Sequence, residues 1–490
     1  MRFFAQAFGF FNWVGISHFI NLLFISLLIR SGLEILSAHP RLYWNDGCDA
    51  GSEWLKFTRK VMPTDRLWTA TDEQEPFSSW LALPGHMNLG MGRHWHFFSI
   101  IFWVLNGLVY VFLLFAIGGW RRLIPTSWGI FPAAIHTAWT YAHFQLPAPG
   151  HPYNPVQQLA YAGIVFVIAP MMIATGAAMS PAVAARFPGY LRILGGRQSA
   201  RSIHFLGLVA ICLFTIVHVT LVAVEDFPAN MSYIVHGHHA LEGLSVAIGM
   251  GGLVVVAILH VWATQVSLRD PKWVQRALGV AIEPVRRALL HHVGSRQLYP
   301  KSAISAYFII NGRPPESAEY RQMTLAKFEN WRLEIGGLVK NPLQLGLADL
   351  RAMRPRSQIT LHHCIQGWSG VAQWTGVAVT DILARCGSLA NARYLVFRSW
   401  QEPEPGVTYY EVIDLELARH AQTILAYEMN GAPLQVAHGA PCRLRVETQL
   451  GFKMVKWVRS IELVEDYRLL GAGQGGYRED VQFYGPEAGI

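Results

Sequence analysis

The chain is poor in cysteine, poor in charge, and, over its second half, free of long apolar runs. Its 490 residues include five cysteines, Cys48, Cys212, Cys364, Cys386 and Cys442. They are too few and too scattered for a disulfide framework, and none stands in the CxxC spacing of a zinc site. Charged residues make up 15% of the chain, with 40 Lys and Arg against 32 Asp and Glu, a net charge of +8. That excess is dispersed, and many of its members flank apolar segments where lipid topology needs them, so no nucleic-acid partner is expected. The opening stretch "MRFFAQAFGFFNWVGISHFINLLFISLLIRSG" has a weakly charged start and no small-residue cleavage site. It reads as a retained first span and not as a cleavable signal peptide. Internal repeats and low-complexity tracts are absent.

What is present in quantity is apolar sequence, 52% of residues, with a mean hydropathy of +0.25. Runs long enough to cross a hydrocarbon core of about 30 Å lie at about 11–29, 97–118, 159–179, 203–224 and 244–266, which predicts five transmembrane helices in contact with membrane lipid. A shorter patch at 130–146, "IFPAAIHTAWTYAHFQL", has two histidines and a proline and reads as an interfacial or re-entrant piece. From about 270 the pattern changes to short alternating segments, "ITLHHCI", "YLVFRSW", "CRLRVET" and "KWVRSIELV", separated by Gly and Pro turns, the signature of strands. The expected fold is a membrane all-α helical bundle followed by a soluble, strand-rich α+β domain. The expected domains are 1–268 in the membrane, a basic juxtamembrane linker over 269–302 with Arg269, Lys272, Arg276, Arg286 and Arg287, and a soluble domain over 303–490.

Several histidines stand inside the apolar runs. His204 and His218 are 14 residues apart in the fourth, which returns to within about 40° of one helix face about 21 Å further along. A polar group in lipid costs several kcal/mol unless paired, so each intramembrane imidazole is a functional candidate. Let the two membrane sides be X, bearing the N-terminus, and Y. His18 lies near the X end of the first helix and His218 toward the X end of the fourth, while His96 and His204 both lie at Y ends. Two histidine pairs at two depths suit two haems with bis-imidazole ligation, stacked across the bilayer.

The segments "SGLEILSAHPRLYW", "GRHWHFF", "NGLVYVFL", "HPYNPVQQLAY", "ATGAAMSP" and "RSIHFLGL" with "VHV" resemble the bacterial di-haem cytochrome b subunits of thiosulfate reductases and formate dehydrogenases, over roughly residues 10–225. The resemblance implies two haem b groups, iron ligands His18, His96, His204 and His218, and electron exchange with membrane quinone or quinol. His94 falls where relatives commonly carry arginine, which favours His96 and leaves His94 as the rival. His260, His136, His143 and the cluster at 236–239 are read as interfacial or packed polar groups, with quinone contact or proton carriage as the alternative.

In the soluble half, "LHHCIQGWSGVAQWTGVAVTDIL" at 361–383 places Cys364 after a β-rich run. An unpaired cysteine is most often a small buried hydrophobe, but as a thiolate it binds soft metals, and spacing alone leaves both open. The wording is similar to the sulfite oxidase family of molybdopterin enzymes, especially the bacterial branch with periplasmic methionine sulfoxide reductases. The likeness runs over roughly 303–470 and continues through "AYEMNGAPLQVAHGAPCRLRVETQLGFKMVKWVRSIEL". It implies a molybdopterin cofactor, with Cys364 as a permanent molybdenum ligand. It further implies Arg443 and Lys456 on the pterin phosphate, with His438, Ser399 and, more loosely, Asn311 and Arg313 near the cofactor. Cys386 and Cys442 are expected to be structural.

Taken together these readings predict an enzyme of the bacterial inner (cytoplasmic) membrane, a molybdenum oxidoreductase that exchanges electrons with the quinone pool through two b-type haems. An S-oxide or N-oxide is the expected small oxidised substrate. The alternatives are a sulfite-type dehydrogenase reducing quinone, and a non-enzymatic electron-transfer or redox-sensing anchor. The fifth helix delivers the soluble domain to side Y. Lys and Arg number sixteen in the Y segments and three in the X segments, which makes Y cytoplasmic, whereas the usual arrangement of the resembled family makes it periplasmic.

Overall fold

The structure, a computed structural model, describes residues 13–63, 66–147, 153–239, 241–290 and 296–485, and of 286–290 the backbone alone. Arg2, the first two residues of the opening apolar run, His151 and Pro152 of the "HPYNPVQQLAY" motif, the Arg286 and Arg287 side chains and 486–490 lie outside the described residues.

Five helices are long and apolar enough to cross a membrane. They are α1 (Trp13–Ser37), α2 (Leu89–Ala116), a third span over Pro155–Ala178, α5 (Arg197–Val224) and α7 (Glu242–Arg269). The first continues past the end of the apolar run that announces it and the other four start before theirs, because polar residues there continue the backbone hydrogen bonding out of the apolar zone. Between them, α3 (Ile130–Ala142) is the 130–146 patch as a helix of 13 residues, about 20 Å long and too short to span. The third span, α4, is α-helical over Pro155–Gly163, widens to a π turn at Ile164–Ile168 and resumes at Ala169–Ala178. Pro170 follows the π turn, and its missing N–H accounts for the break in α-helical bonding there. A further helix, α6 (Phe227–His236), lies between α5 and α7.

The chain divides into two compact units. The first holds the residues up to Ser31, Trp95–Gly176 and Ile203–Arg269. Its outward faces carry exposed apolar residues, among them Leu108 and Phe112 on α2, Leu213 and Ile216 on α5, and Ile258 on α7, which a lipid environment satisfies and water does not. Polar ties between the helices include Trp103 Nε1 donating to Asn21 Oδ1 at 2.9 Å, Asn106 Nδ2 to the Ser17 carbonyl at 3.1 Å, and Trp95 Nε1 to Ser267 Oγ at 2.8 Å. In an apolar solvent such bonds and close packing, rather than burial from water, hold helices together.

The second unit holds Gly32–His94, Ala177–Ser202 and residues from Asp270 on. It therefore takes in two stretches that the sequence-based boundary at 268 assigned to the membrane domain. The stretch expected as a basic linker is largely a helix, α8 (Pro271–Leu290). Val274, Leu278 and Ile282, four residues apart, are buried while Lys272 and Arg276 face out, so an apolar stripe docks a segment whose charge content alone suggested a tether.

After a short antiparallel pair, β1 (Arg41–Leu42) with β2 (Leu55–Lys56), two five-stranded sheets follow. In one, β5 (Pro355–His363), β6 (Ser369–Ala378), β9 (Ile424–Met429) and β10 (Ala432–Pro433) are adjacent and antiparallel, and β11 (Arg443–Arg445) also pairs with β9. The other has the order β4 (Leu343–Leu345), β3 (Leu333–Gly337), β12 (Val458–Val464), β7 (Tyr394–Ser399), β8 (Tyr410–Asp414). The four alternating segments noted in the sequence fall on β5, β7, β11 and β12. From Ile461 on, β12 alternates buried and half-buried positions, as a strand with one face on the core must, and the core between the elements is built on Trp331, Trp368, Trp374, Phe397 and Trp457. β5 departs from alternation. It starts exposed at Pro355 and ends with Thr360, Leu361, His362 and His363 all buried, so it runs from the surface into the interior and delivers Cys364 there.

Candidate functional site

In the membrane unit the four singled-out histidines meet in two pairs. The His18 and His218 rings are 6.2 Å apart, and the His96 and His204 rings 6.4 Å apart. A metal held between two imidazoles, at ~2.0 Å from each nitrogen with ~1.1 Å from nitrogen to ring centre, requires a separation of ~6 Å, so both pairs fit an iron. Neighbouring hydroxyls set the ring orientation. Thr175 Oγ1 lies 2.9 Å from His204 Nδ1, Ser31 Oγ 3.1 Å from His96 Nδ1, and Tyr161 Oη 3.4 Å from His218 Nδ1. Thr175 and Ser31 already donate to carbonyls one turn back, so each accepts from Nδ1–H and leaves the other nitrogen, Nε2, as the metal-directed lone pair.

The remaining histidines have other partners. His94, in the second unit, sets Nε2 2.8 Å from the Phe483 carbonyl. His260 sits between Ser26 Oγ at 2.8 Å and Arg30 Nη1 at 2.9 Å. His143 Nδ1 bonds the Trp139 carbonyl, and His239 pairs with Glu242 at 2.6 Å. His136, on α3, is solvent- or lipid-exposed.

In the second unit Cys364 begins the tight turn between β5 and β6. Its N–H donates to the Trp368 carbonyl at 3.1 Å and its own carbonyl accepts from Gly367 N–H at 3.1 Å. Gly367 has φ 111°, and a Cβ there would meet the Arg201 guanidinium at 3.2 Å, so only glycine fits. The sulfur is fully buried, 3.7 Å from Asn311 Nδ2 and 3.7 Å from Gln366 Oε1. Burial pushes its thiol up to about 12, against the pull of the Gln366 N–H and the Arg197 guanidinium. A group so placed is a poor free nucleophile, but a metal that replaces its proton makes it a thiolate.

In the same unit cations stand close together: Arg445 is paired with Glu447 at 2.6 Å, whereas Arg443 and Lys456 form no ion pair among the described residues. Arg443 and Lys456 flank Gly439, whose φ of 113° brings both side chains within 3.1 Å of where a Cβ would stand. Burial first, and the Arg443 charge second, press the Lys456 ammonium well below its ordinary value. Arg443 Nη1 donates to the His438 carbonyl at 3.0 Å and Lys456 Nζ to the Ala437 carbonyl at 2.8 Å. Ser399 Oγ donates to the Lys456 carbonyl at 2.7 Å, so Ser399 fixes the Lys456 backbone. Several buried polar atoms have no hydrogen-bond partner among the described residues: the donors Arg443 Nε, Trp368 Nε1 and Trp374 Nε1, and both ring nitrogens of His363, one a donor and one an acceptor. Burial, with Arg197 and Arg445 nearby, keeps His363 neutral. Like-charged cations and orphaned donors beside a buried thiol are expensive in a bare protein, and they match an anionic, heteroaromatic, metal-bearing group such as a molybdopterin.

Asn311, His438, Ser399, Arg443, Lys456 and Cys364 therefore lie in one unit, with Asn311 at the sulfur itself. Arg313 instead pairs with Asp72 at 3.1 Å on the surface. Sequence reasoning missed His362, His363, Arg445 and Arg197. A signal for the first two was available in "HHC": alternation would turn one of two adjacent histidines to solvent, unless the strand ends in the interior. Among the described residues no group of three or more His, Cys, Asp or Glu is placed to hold a further metal ion.

Comparison with known proteins gives two family matches. The family described as prokaryotic cytochrome b561 matches residues 11–237, and that described as oxidoreductase molybdopterin binding domain matches residues 320–469. The chain is 33% identical over 183 residues to the putative protein-methionine-sulfoxide reductase subunit YedZ1 of Azospira oryzae, covering 37% of this chain and 64% of that one. It is also 33% identical over 149 residues to the protein-methionine-sulfoxide reductase catalytic subunit MsrP of Xanthomonas axonopodis pv. citri, covering 28% of this chain and 46% of that one. The chain thus spans between about half and two thirds of the length of these relatives. Among solved structures, the sulfane dehydrogenase SoxCD from Paracoccus pantotrophus aligns at 23% identity and a TM-score of 0.27, over 31% of this chain and 41% of that one.

Proposed function

We propose that this chain, which joins a prokaryotic cytochrome b561 domain to an oxidoreductase molybdopterin-binding domain, is a quinol-dependent S-oxide reductase of the bacterial inner membrane. Each quinol oxidised to quinone yields two electrons and two protons, and an S-oxide takes up two electrons and two protons to give a thioether and water. Two b-type haems, when bound, carry electrons one at a time, and molybdenum, when bound, supplies the two-electron transfer of an oxygen atom.

The protein's own contribution is placement. His18 and His218 grip one haem iron and His96 and His204 the other, with Thr175, Ser31 and Tyr161 holding the imidazoles in the ligating orientation. Cys364 binds the molybdenum from a turn too tight to swing away. Arg443 and Lys456 seat the pterin phosphate, as a guanidinium fork and a point charge do, and His363 and Trp368 present hydrogen-bonding atoms to the ring system. Asn311, at the sulfur, orients the reacting S-oxide oxygen through its amide N–H. Burial of Cys364, His363, Trp368 and Arg443 excludes water that would compete for those donors.

The observation that carries the reading is the coexistence, in one chain, of two imidazole pairs at iron-spanning distance and, in the second unit, a buried cysteine with two cations, Arg443 and Lys456, that form no ion pair among the described residues. The test is metal and haem analysis with turnover. Purified protein is expected to hold two haem b and one molybdenum per chain and to reduce methionine sulfoxide with a quinol analogue. Haem without molybdenum would make the chain an electron-transfer anchor instead, and quinone reduction driven by sulfite would make it a dehydrogenase.

A further inference from the structure

The turn that carries Cys364 is held from outside the molybdopterin-binding match. Arg197, the first residue of α5, is buried; its Nε donates to the Met179 carbonyl at 3.4 Å, and both Nη atoms go to the carbonyls of that turn. Nη1 donates to Gly367 and to Trp368, each at 2.9 Å, and Nη2 to Cys364 itself at 3.2 Å. Gln198 adds Nε2 bonds to the Gly367 carbonyl at 2.9 Å and to Ser369 Oγ at 3.0 Å. Ser369 Oγ in turn donates to the Asp46 carbonyl at 3.0 Å, and Asp46 Oδ1 accepts the Gln198 N–H at 2.8 Å. Five side-chain bonds from two adjacent residues thus close on a turn of six, and all but the Ser369 bond go to main-chain oxygen.

Two features distinguish this from ordinary loop anchoring. First, the donor carries positive charge and forms no ion pair among the described residues; the Asp46 carboxylate lies near enough to act on it, but bonds main-chain N–H groups and not the guanidinium. Second, the acceptors are the carbonyls of the metal-ligating residue and its turn, so the charge is delivered through the peptide that bears the sulfur. A fixed cation there stabilises the thiolate over the thiol, and stabilises whichever oxidation state of the bound centre is more negative. A lysine would keep the charge and lose the planar fork that reaches three carbonyls at once.

We infer that Arg197 is a positioning residue for the Cys364 ligand turn, and that its charge tunes the redox potential of the metal bound there. The segment leading into the fourth span thereby completes the molybdenum site. The inference rests on Cys364 as the metal ligand.

The experiment uses the full-length chain with Arg197→Gln and Arg197→Lys, read by molybdenum content, by the EPR spectrum of the one-electron-reduced molybdenum, and by its potentiometric midpoint, with haem absorbance as the check on folding. Arg197→Gln is expected to shift the EPR spectrum and lower the midpoint, or to lose molybdenum while keeping haem. Arg197→Lys is expected to recover the midpoint more fully than the EPR line shape. Should Arg197→Gln also lose haem, Gln198→Ala takes its place: it removes two bonds to the turn without removing charge, and is expected to alter the line shape while sparing the midpoint. Unchanged EPR spectrum and midpoint in fully loaded Arg197→Gln, or in Gln198→Ala an unchanged line shape or a shifted midpoint, would overturn the inference. Cys364→Ser is the separate control: if it retains molybdenum, the ligand assignment itself fails, whatever the Arg197 variants do.

Discussion

Replacing Lys456 by methionine is expected to push the cofactor-free and cofactor-loaded proteins in opposite directions. In the bare chain Lys456 and Arg443 share a half-buried seat around Gly439, and burial and the Arg443 charge hold the Lys456 ammonium well below its ordinary value. A base whose value is lowered by folding destabilises the native state wherever the unfolded chain holds the proton and the native site resists it. That penalty is greatest below the ordinary lysine value and fades as pH rises toward it. Methionine keeps most of the stem and removes the charge, so the cofactor-free variant should gain about 1–3 kcal/mol at neutral pH, the scale of an imperfectly satisfied buried polar group. With cofactor the sign reverses. One charge-assisted hydrogen bond to phosphate is worth about 1.5–3 kcal/mol, so the variant should hold the pterin roughly 10- to 150-fold more weakly. Thermal unfolding in detergent of protein made without molybdenum cofactor reads the first effect, and molybdenum per chain after dialysis reads the second. A variant that is less stable when bare and retains molybdenum as well as the parent would refute the reasoning, because Lys456 would then be a structural cation.

Other substitutions test separate parts. His96→Ala should lose one of two haems and His94→Ala neither, since the His94 ring is engaged with the Phe483 carbonyl at 2.8 Å; pyridine haemochrome counts per chain decide it. Thr175→Val removes the acceptor at His204 Nδ1 and should weaken haem retention about 10- to 100-fold, measured by haem loss to an apo-globin trap. Lys453 is buried against Glu411 at 3.0 Å and also pairs with Glu479, so Lys453→Met should cost about 3–5 kcal/mol, seen as a lower denaturation midpoint. Burial and Glu411 raise the Glu479 carboxyl well above its usual value, with Lys453 pulling the other way. Such a raised carboxyl stabilises the fold below the ordinary glutamate range, a contribution lost as pH rises through the raised value. Glu479→Gln should therefore flatten the pH dependence of stability above about pH 5, and an unchanged slope would contradict this.

The parts of the fold that the sequence made legible are those written in local pattern. Five spans stood out because lipid demands unbroken apolar length. His18, His96, His204 and His218 were conspicuous because imidazole is costly there, and their pairing followed from counting depth along alternating helices. Cys364 was legible through the wording around it and not through spacing. What local pattern could not show was contact across long separations. Arg197 and Cys364 are 167 residues apart, and nothing near "GGRQSAR" says that its first arginine meets a turn of a distant sheet. The stretch 271–290 looked like a tether because its cations were weighed before its four-residue apolar period. The segments 32–94 and 177–202 looked like membrane loops because a boundary drawn from hydropathy ignores what loops pack against.

The most direct measurement is rapid mixing of anaerobic protein, its haems reduced by a quinol analogue, with methionine sulfoxide while the b-type absorbance is followed. The account predicts that the S-oxide reoxidises the haems in the parent chain, and that they stay reduced in Cys364→Ser despite an unchanged haem spectrum. Reoxidation that proceeds equally in Cys364→Ser, or its absence in a parent chain loaded with both haems and molybdenum, would contradict it.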